Sequence, residues 1–125
     1  GMRWANIAFK HADLLSFWTA IEILAGGRGQ VVYAQFAKAY GMSTKRAQAF
    51  AKELGLDVIY KFRGDFVHDG LPVHLDPQGM SYLNALVHDL ARYVAGLECL
   101  KLAQGALGSS RVQEWIRYDH QQAKQ

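Results

Sequence analysis

The sequence predicts an all-α fold, an antiparallel bundle of about five to six helices in a single domain spanning residues 1–125. Three observations predict this class and the single domain. Apolar residues recur at helical spacing along most of the chain. The chain has only two prolines, and many of its twelve glycines follow a helical segment. Finally, no internal repeat, low-complexity tract or interdomain linker divides the sequence.

Three helices are predicted in the first half, and glycine follows each of them. They cover residues 4–25, residues 31–40 and a segment that Ser43 or Thr44 caps. The glycines that end them are Gly26 with Gly27, Gly41 and Gly55. In the third helix the residues expected to face inward are Ala47, Phe50, Ala51 and Leu54.

The second half begins with a helix predicted over residues 57–67, which Asp69 and Gly70 end before a loop over residues 71–75. Asp76 as N-cap and Pro77 in the first turn start the clearest helix. Its apolar stripe runs for about five turns to Leu100.

The last elements are short. Residues 105–108 are predicted to end the long helix, and Ser110 with Gln113 forms a capping box for a final helix that contains Val112, Trp115 and Ile116. The polar tail, residues 119–125, is expected to fray, and Gly1 before Met2 to be a remnant of tag removal.

Composition sets weak limits on function. A net charge of +3 permits a polyanionic partner without requiring one. The single cysteine, Cys99, excludes an internal disulfide and favours a reducing, cytoplasmic compartment. No segment has the pattern of a signal peptide or the apolar length of a membrane span, so no membrane partner is expected.

The segment that could carry chemistry contains Arg63 and His68. An arginine can hold a phosphate through two charge-assisted hydrogen bonds, and a histidine can transfer a proton near neutral pH. On an ideal helix, five residues place the two side chains about 140° apart. They share a face only if the helix ends or loosens before His68.

The motifs around this pair resemble the HEPN family, in the branch related to abortive-infection proteins. Its signature is Arg-x4-6-His, and a Tyr-x-x-Arg-x-x-x-x-His-x-Gly block is similar to Tyr60, Arg63, His68 and Gly70. The run from Trp18 to Glu22 is similar to a motif in the family's first helix, and residues 36–41 are similar to an alanine-rich helix between the two. The resemblance covers about residues 10–104, in family order.

This resemblance implies a homodimer whose two motifs meet in one cleft, and a metal-independent endoribonuclease of a toxin–antitoxin or antiphage system. In such an enzyme the ribose 2′-hydroxyl attacks the phosphate, His68 handles protons and Arg63 steadies the phosphate. No cofactor is implied; RNA is the implied substrate and an antitoxin protein a possible partner. Other family members are non-catalytic RNA-binding or scaffold versions.

Supporting roles are expected for four residues. Tyr60 belongs to the block, and Asp69 helps to end its helix. Active members carry a polar residue directly after the arginine, where this chain has Gly64, and Asp65 one position later is the candidate substitute. Glu22 lies on the apolar stripe of the first helix, so it either orients Arg63 or keeps its head in water.

Other functions stay open. Residues 35–47 have the pattern of a helix-turn-helix, in which Lys45, Arg46 and Lys52 would contact phosphates. In the ribonuclease interpretation Lys45, Arg46 and Lys61 are candidate RNA-binding residues. A structural or antitoxin-paired domain without chemistry is the third possibility. No metal site is expected, since His68, Asp69 and His74 match no metal-binding spacing.

Overall fold

The computed structural model describes residues 11–70, 73–105 and 112–118. These residues confirm the all-α class. The helices are α1 (His11–Ala25), α2 (Gln30–Ala39), α3 (Ala47–Leu54), α4 (Leu56–Asp69), α5 (Pro77–Val94), α6 (Leu102–Gly105) and α7 (Val112–Trp115). The remaining elements are a 3-10 turn (Thr44–Arg46) and two short strands, β1 (Val73–Leu75) and β2 (Ile116–Tyr118).

The core forms around α5, which packs against α1, α2, α6 and α7. Leu83, Leu86 and Leu90, about one turn apart along α5, are fully buried. Trp18 of α1 and Phe36 of α2 are buried in the same cluster. Burying a large apolar side chain stabilises the fold by about 1.5–3 kcal/mol, so this stripe is what holds the bundle together.

The predicted ends of the first three helices are confirmed. Gly26, Gly41 and Gly55 follow α1, α2 and α3, and each has a positive φ, as does Gly70 after α4. Ser43 is the cap chosen at the start of the third helical segment, because its Oγ accepts a hydrogen bond from the Lys45 amide (3.2 Å). All four residues predicted to face inward from α3 are buried: Ala47, Phe50, Ala51 and Leu54.

The predicted length of the fifth helix is wrong. It ends at Val94, and Gly96, with φ of +80°, turns the chain away. The Leu97 amide donates to Arg92 O (2.8 Å), which closes the helix. Leu97 and Leu100, assigned to the apolar stripe, are therefore 55% and 49% exposed. The periodic pattern continues past Gly96, but the helical backbone does not.

A second correction concerns the loop predicted over residues 71–75. Val73–Leu75 forms β1, paired antiparallel with β2, so Ile116 lies in a strand rather than in the last helix. Leu75 is the register partner of Ile116, and both are buried. Burial of this pair is the physical reason for the strands. With three residues each, they leave the fold class unchanged.

Several predicted features lie outside the described residues. They are residues 4–10 of the first helix, residues 71–72, Ser110 of the capping box, Gly1 and the tail 119–125. None of the described helices combines the length and the apolar character that crossing a membrane requires.

Candidate functional site

The predicted site lies on α4, which starts one residue after the glycine that ends α3. Leu56 and Ile59 point into the core and are fully buried. Tyr60, on another side of the helix, is 40% exposed. The edge of its ring contacts the Trp18 ring of α1, with centroids 5.6 Å apart and planes at 66°. This aromatic contact joins α4 to α1. The side of α4 that carries Tyr60 therefore faces α1.

Arg63 lies almost one turn beyond Tyr60 and is half-buried. Its Nε is buried and has no hydrogen-bond partner among the described residues. A buried donor left without a partner costs about 1–3 kcal/mol, and more if the group is charged. The arginine of the motif is therefore half-buried, with one buried donor still to satisfy.

His68 is exposed on the last turn of the same helix. The helix was predicted to end near Val67, but α4 continues through Asp69, which is also exposed. His68 is thus still helical, and about 140° separates it from Arg63 around the helix axis. One chain does not bring Arg63 and His68 onto one face.

Asp65 forms a surface ion pair with Lys61, one turn earlier, at 3.1 Å between Nζ and Oδ2. The pair is worth about 0.3–0.5 kcal/mol, because the Lys61 side chain is 69% exposed. Two residues along a helix span about 200°, so Asp65 and Arg63 project on opposite sides of α4. The position expected to replace the family's polar residue therefore does not lie beside the arginine.

Gly64 has an ordinary helical backbone, since it is not among the glycines with positive φ. A Cβ built at this position meets nothing within 4 Å. A side chain can therefore be introduced directly after Arg63 without strain or collision.

Glu22 is half-buried on α1, one turn beyond Trp18, and lines a shallow pocket of about 220 Å³ with Thr19, Ile23 and Arg28. Its Oε2 is buried and lacks a hydrogen-bond partner in the described parts of the chain, as does the indole Nε1 of the fully buried Trp18. The predicted bond between Glu22 and Arg63 is thus not formed between these described side chains, although their helices are in contact.

Helix α2 lies beside both α1 and α4. Gln35 of α2 donates to Ala25 O at the end of α1 (3.3 Å). Burial raises the pKa of Tyr33, also on α2, and the neighbouring Asp57 and Tyr60 of α4 raise it further.

The other predicted RNA-binding residues lie elsewhere. Lys45 and Arg46 are exposed on the 3-10 turn that connects α2 to α3. Gln48 and Lys52 on α3 are exposed as well, and α2 packs against α3, as the helix-turn-helix interpretation requires. The predicted basic residues thus occupy two surfaces, one on α4 and one on α3 with the turn before it.

Asp89 is a buried polar residue that the sequence analysis missed. It is fully buried on α5 and accepts hydrogen bonds from the Tyr40 hydroxyl and from the amides of Leu102 and Ala103, each amide at 3.0 Å. Burial raises the pKa of Tyr40, and the hydrogen bond to Asp89 raises it further. The signal was present: Asp89 follows Leu86 by three residues, on the apolar stripe, where a charge needs partners.

In the part of the chain that the structure describes, no three His, Cys, Asp or Glu residues are placed to share a metal ion. No candidate metal centre is therefore found there. Among the described residues, α1 and α4 carry three buried polar atoms without a hydrogen-bond partner: Trp18 Nε1, Glu22 Oε2 and Arg63 Nε. No protein-family model matches the chain, and no curated protein or solved structure matches it either.

Proposed function

We propose that the protein is a HEPN-like, metal-independent endoribonuclease that acts through Arg63 and His68. The observation that carries the proposal is the half-buried Arg63, whose Nε is buried without a hydrogen-bond partner among the described residues, on the same helix as the exposed His68. A phosphate is the ligand such a guanidinium binds best, because the planar donors match two phosphate oxygens.

The reaction is cleavage of RNA by its own 2′-hydroxyl. The bond from the 2′-oxygen to phosphorus forms and the bond from phosphorus to the 5′-oxygen breaks, which leaves a 2′,3′-cyclic phosphate and a 5′-hydroxyl. One proton leaves the 2′-oxygen and one reaches the 5′-oxygen, and His68 transfers protons. Arg63 stabilises the charge that develops on the phosphate.

The catalytic unit in this proposal is a homodimer. One chain presents Arg63 and His68 about 140° apart around α4, so a second α4 is needed to place an arginine and a histidine in one cleft. Toxin–antitoxin or antiphage defence in the cytoplasm, with an antitoxin protein as partner, is the biological setting proposed for it.

The test is incubation of the protein with single-stranded RNA in EDTA. We expect slow cleavage that leaves cyclic phosphate ends, and no cleavage of DNA, which lacks the nucleophile. His68→Ala should lower the rate by about 10² or more, and Arg63→Ala by at least as much. The matched control is His88→Ala, an exposed histidine on α5, which should leave the rate unchanged. Equal cleavage by wild type and His68→Ala would identify a contaminant.

A further variant, Gly64→Asn, tests for a gain of activity. The position is helical and open, so an asparagine fits there, directly after Arg63. We expect this variant to cleave RNA faster than wild type, because it restores the polar residue of the family pattern.

The second candidate function is a non-catalytic RNA-binding or interaction domain. It is favoured by the continuity of α4 through Asp69, which holds Arg63 and His68 on different faces. Intact RNA after long incubation, together with RNA binding that weakens with Arg63→Ala, would support this function over the enzyme. Specific binding to duplex DNA that weakens with Lys45→Ala or Arg46→Ala would instead support a helix-turn-helix protein.

A further inference from the structure

Helices α2 and α3 form a unit whose exposed residues take no part in the proposed chemistry. Four residues, 40–43, join α2 to the 3-10 turn that leads into α3. Gly41 has φ of +76°, and the Met42 amide donates to Ala37 O (2.7 Å), so the chain leaves α2 through a tight left-handed turn. Two helices joined by a turn of three or four residues that contains a glycine are typical of a helix-turn-helix.

Aromatic packing holds the two helices together. The Phe50 ring of α3 contacts the Tyr40 ring at the end of α2, with centroids 5.3 Å apart and planes at 63°. Tyr40 also contacts Phe36 of α2. Ala47 and Leu54 are buried on the same side of α3 as Phe50. Helix α3 is thus fixed through one face and presents the other to solvent, as a helix that reads DNA must do.

The positive charge of the protein is concentrated on this unit. Residues 38–53 contain four of the fourteen lysines and arginines and only one of the eleven acidic residues, so the segment has a charge of +3, which is the net charge of the whole chain. The rest of the chain has ten of each and is neutral, with histidine uncharged. All four basic side chains are exposed: Lys38, Lys45, Arg46 and Lys52. A positive charge gathered on one surface attracts a phosphate backbone.

Two uncharged residues complete the exposed face of α3. Gln48 is exposed, and its Oε1 accepts a hydrogen bond from Nε2 of Gln30 at the start of α2 (3.2 Å). This bond restrains the Gln48 amide and does not use its N–H groups, which can donate to a base edge. Ala49 beside it is exposed and small, so the backbone of α3 can approach a groove closely. Glutamine reads adenine through two hydrogen bonds in the major groove.

We propose that the protein binds duplex DNA, with the exposed face of α3 in the major groove and the surrounding basic side chains on the phosphates. The major groove of B-DNA admits an α-helix, and each base pair presents a distinct pattern of donors and acceptors there. Lys45, Arg46 and Lys52 position the helix through phosphate contacts, which carry no sequence information. The inference goes beyond the proposed function and does not depend on it, since Arg63 and His68 lie on α4.

The test compares two variants that change the net charge equally. Ala49→Glu places a carboxylate on the exposed face of α3, and Asn84→Glu places one at an exposed position of α5. Binding to a fluorescein-labelled DNA duplex of about two helical turns is measured by fluorescence anisotropy, and circular dichroism checks that both variants are folded.

We expect wild type to bind this duplex with a Kd in the micromolar range at about 0.1 M salt. Ala49→Glu should bind at least about tenfold more weakly, because its carboxylate meets the phosphates. Asn84→Glu should stay within about twofold of wild type, because a charge at this salt concentration acts over only about 10 Å.

The salt dependence of the affinity tests the phosphate contacts separately. Each lost contact lowers the slope of log K against log salt by about 0.9, so Lys45→Ala and Lys52→Ala should each lower it by about one. The matched control is Lys101→Asn in the segment after α5. It removes an exposed lysine, and asparagine suits the left-handed backbone at this position (φ of 56°), so the slope should not change.

Three results would overturn the inference. The first is no duplex binding at about 0.1 mM protein. The second is an equal loss in Ala49→Glu and Asn84→Glu, which would assign binding to net charge alone. The third is displacement of the duplex by a lower concentration of single-stranded RNA of the same length, which would make this face an RNA surface.

The anisotropy measurement involves no cleavage, so the DNA-binding surface and the proposed enzyme fail separately. Duplex binding that Ala49→Glu weakens, by a protein that cleaves no RNA, supports this surface and removes the enzyme. Cleavage that depends on His68, by a protein that binds no duplex, supports the enzyme and removes this surface.

Discussion

Asp89 shows how one buried charge organises its neighbourhood. Its carboxylate accepts hydrogen bonds from the amides of Leu102 and Ala103, so it caps the first turn of α6 and ties that segment to α5. The Tyr40 hydroxyl donates to the same carboxylate and adds α2 to the junction. Three donors satisfy a charge that would otherwise be costly to bury, and the chain after Gly96 is folded back as a result.

Replacement of Asp89 should therefore destabilise the protein strongly. Asp89→Ala leaves three donors without an acceptor, of which the Tyr40 hydroxyl and the Ala103 amide are buried. Each buried donor costs about 1–3 kcal/mol, so we expect a loss of at least about 2 kcal/mol in the free energy of unfolding. Urea denaturation at pH 7 measures it. Glu98→Ala, in the exposed segment after α5, is the matched control and should stay within about 0.5 kcal/mol of wild type. Comparable small losses in both variants would contradict this role of Asp89.

Sequence patterns identified the residues of the candidate site but not the directions in which their side chains project. The spacing of Arg63 and His68 named the two side chains, and Tyr60 and Glu22 were found through the motifs around them. Whether Arg63 meets Glu22 depends on how α1 and α4 run past each other, which no local pattern records. His68 likewise points away from Arg63 only because α4 continues to Asp69, two residues beyond the predicted end.

At the scale of elements, local signals were sufficient for most helices. Amphipathic periodicity with a glycine stop predicted α2, α3 and the end of α1 correctly, because both signals act within a few residues. The failures lie where distant residues decide. Strand β1 exists because β2, far along the chain, pairs with it. Helix α5 ends before Gly96, and Asp89 then binds the start of α6, thirteen residues further along the chain.

Gly55, between α3 and α4, and Gly64, within α4, should respond oppositely to the same substitution. Gly55 has φ of +76°, and a Cβ there would lie 2.6 Å from Val112 Cγ2 of α7. Gly55→Ala should destabilise the protein by about 1–3 kcal/mol through strain and overpacking. Gly64 is helical with free space around it, so Gly64→Ala should stabilise α4 by about 0.5–1 kcal/mol.

Thermal or urea unfolding of the two glycine variants beside wild type checks the pair. If Gly64→Ala destabilises the protein as much as Gly55→Ala, the backbone of α4 is not a regular helix at this position.

At the scale of the whole molecule, buried hydroxyls connect helices that the apolar core alone would not align. Tyr40 at the end of α2 reaches Asp89 of α5, and Tyr82 of α5 donates to Leu54 O at the end of α3. The edge of the Phe50 ring of α3 also contacts Tyr40, with centroids 5.3 Å apart. These bonds fix the rotation of each helix about its own axis, since a hydrogen bond is directional and burial of apolar surface is not.

Because of the same hydroxyls, the free energy of unfolding should depend on pH in the alkaline range. Burial raises the pKa of Tyr40 and of Tyr82 above their ordinary value of 10.0, and Asp89 raises both further. The folded state therefore keeps both protons while the unfolded state loses them from about pH 10 upward. The stabilisation is complete below pH 10 and declines as the pH rises from 10 toward the raised values, by up to about 1.4 kcal/mol per pH unit for each tyrosine.

Urea unfolding of wild type and Tyr40→Phe between pH 7 and about pH 11 tests this dependence. Tyr40→Phe should be less stable at pH 7, by about 1.5–3 kcal/mol, because Asp89 loses a donor. Above pH 10 its stability should fall less steeply than that of wild type, since phenylalanine has no proton to lose, and the two curves should converge. Curves that stay parallel through this range would mean that the Tyr40 proton is lost as readily from the folded state as from the unfolded one, and that the hydroxyl is not buried against Asp89.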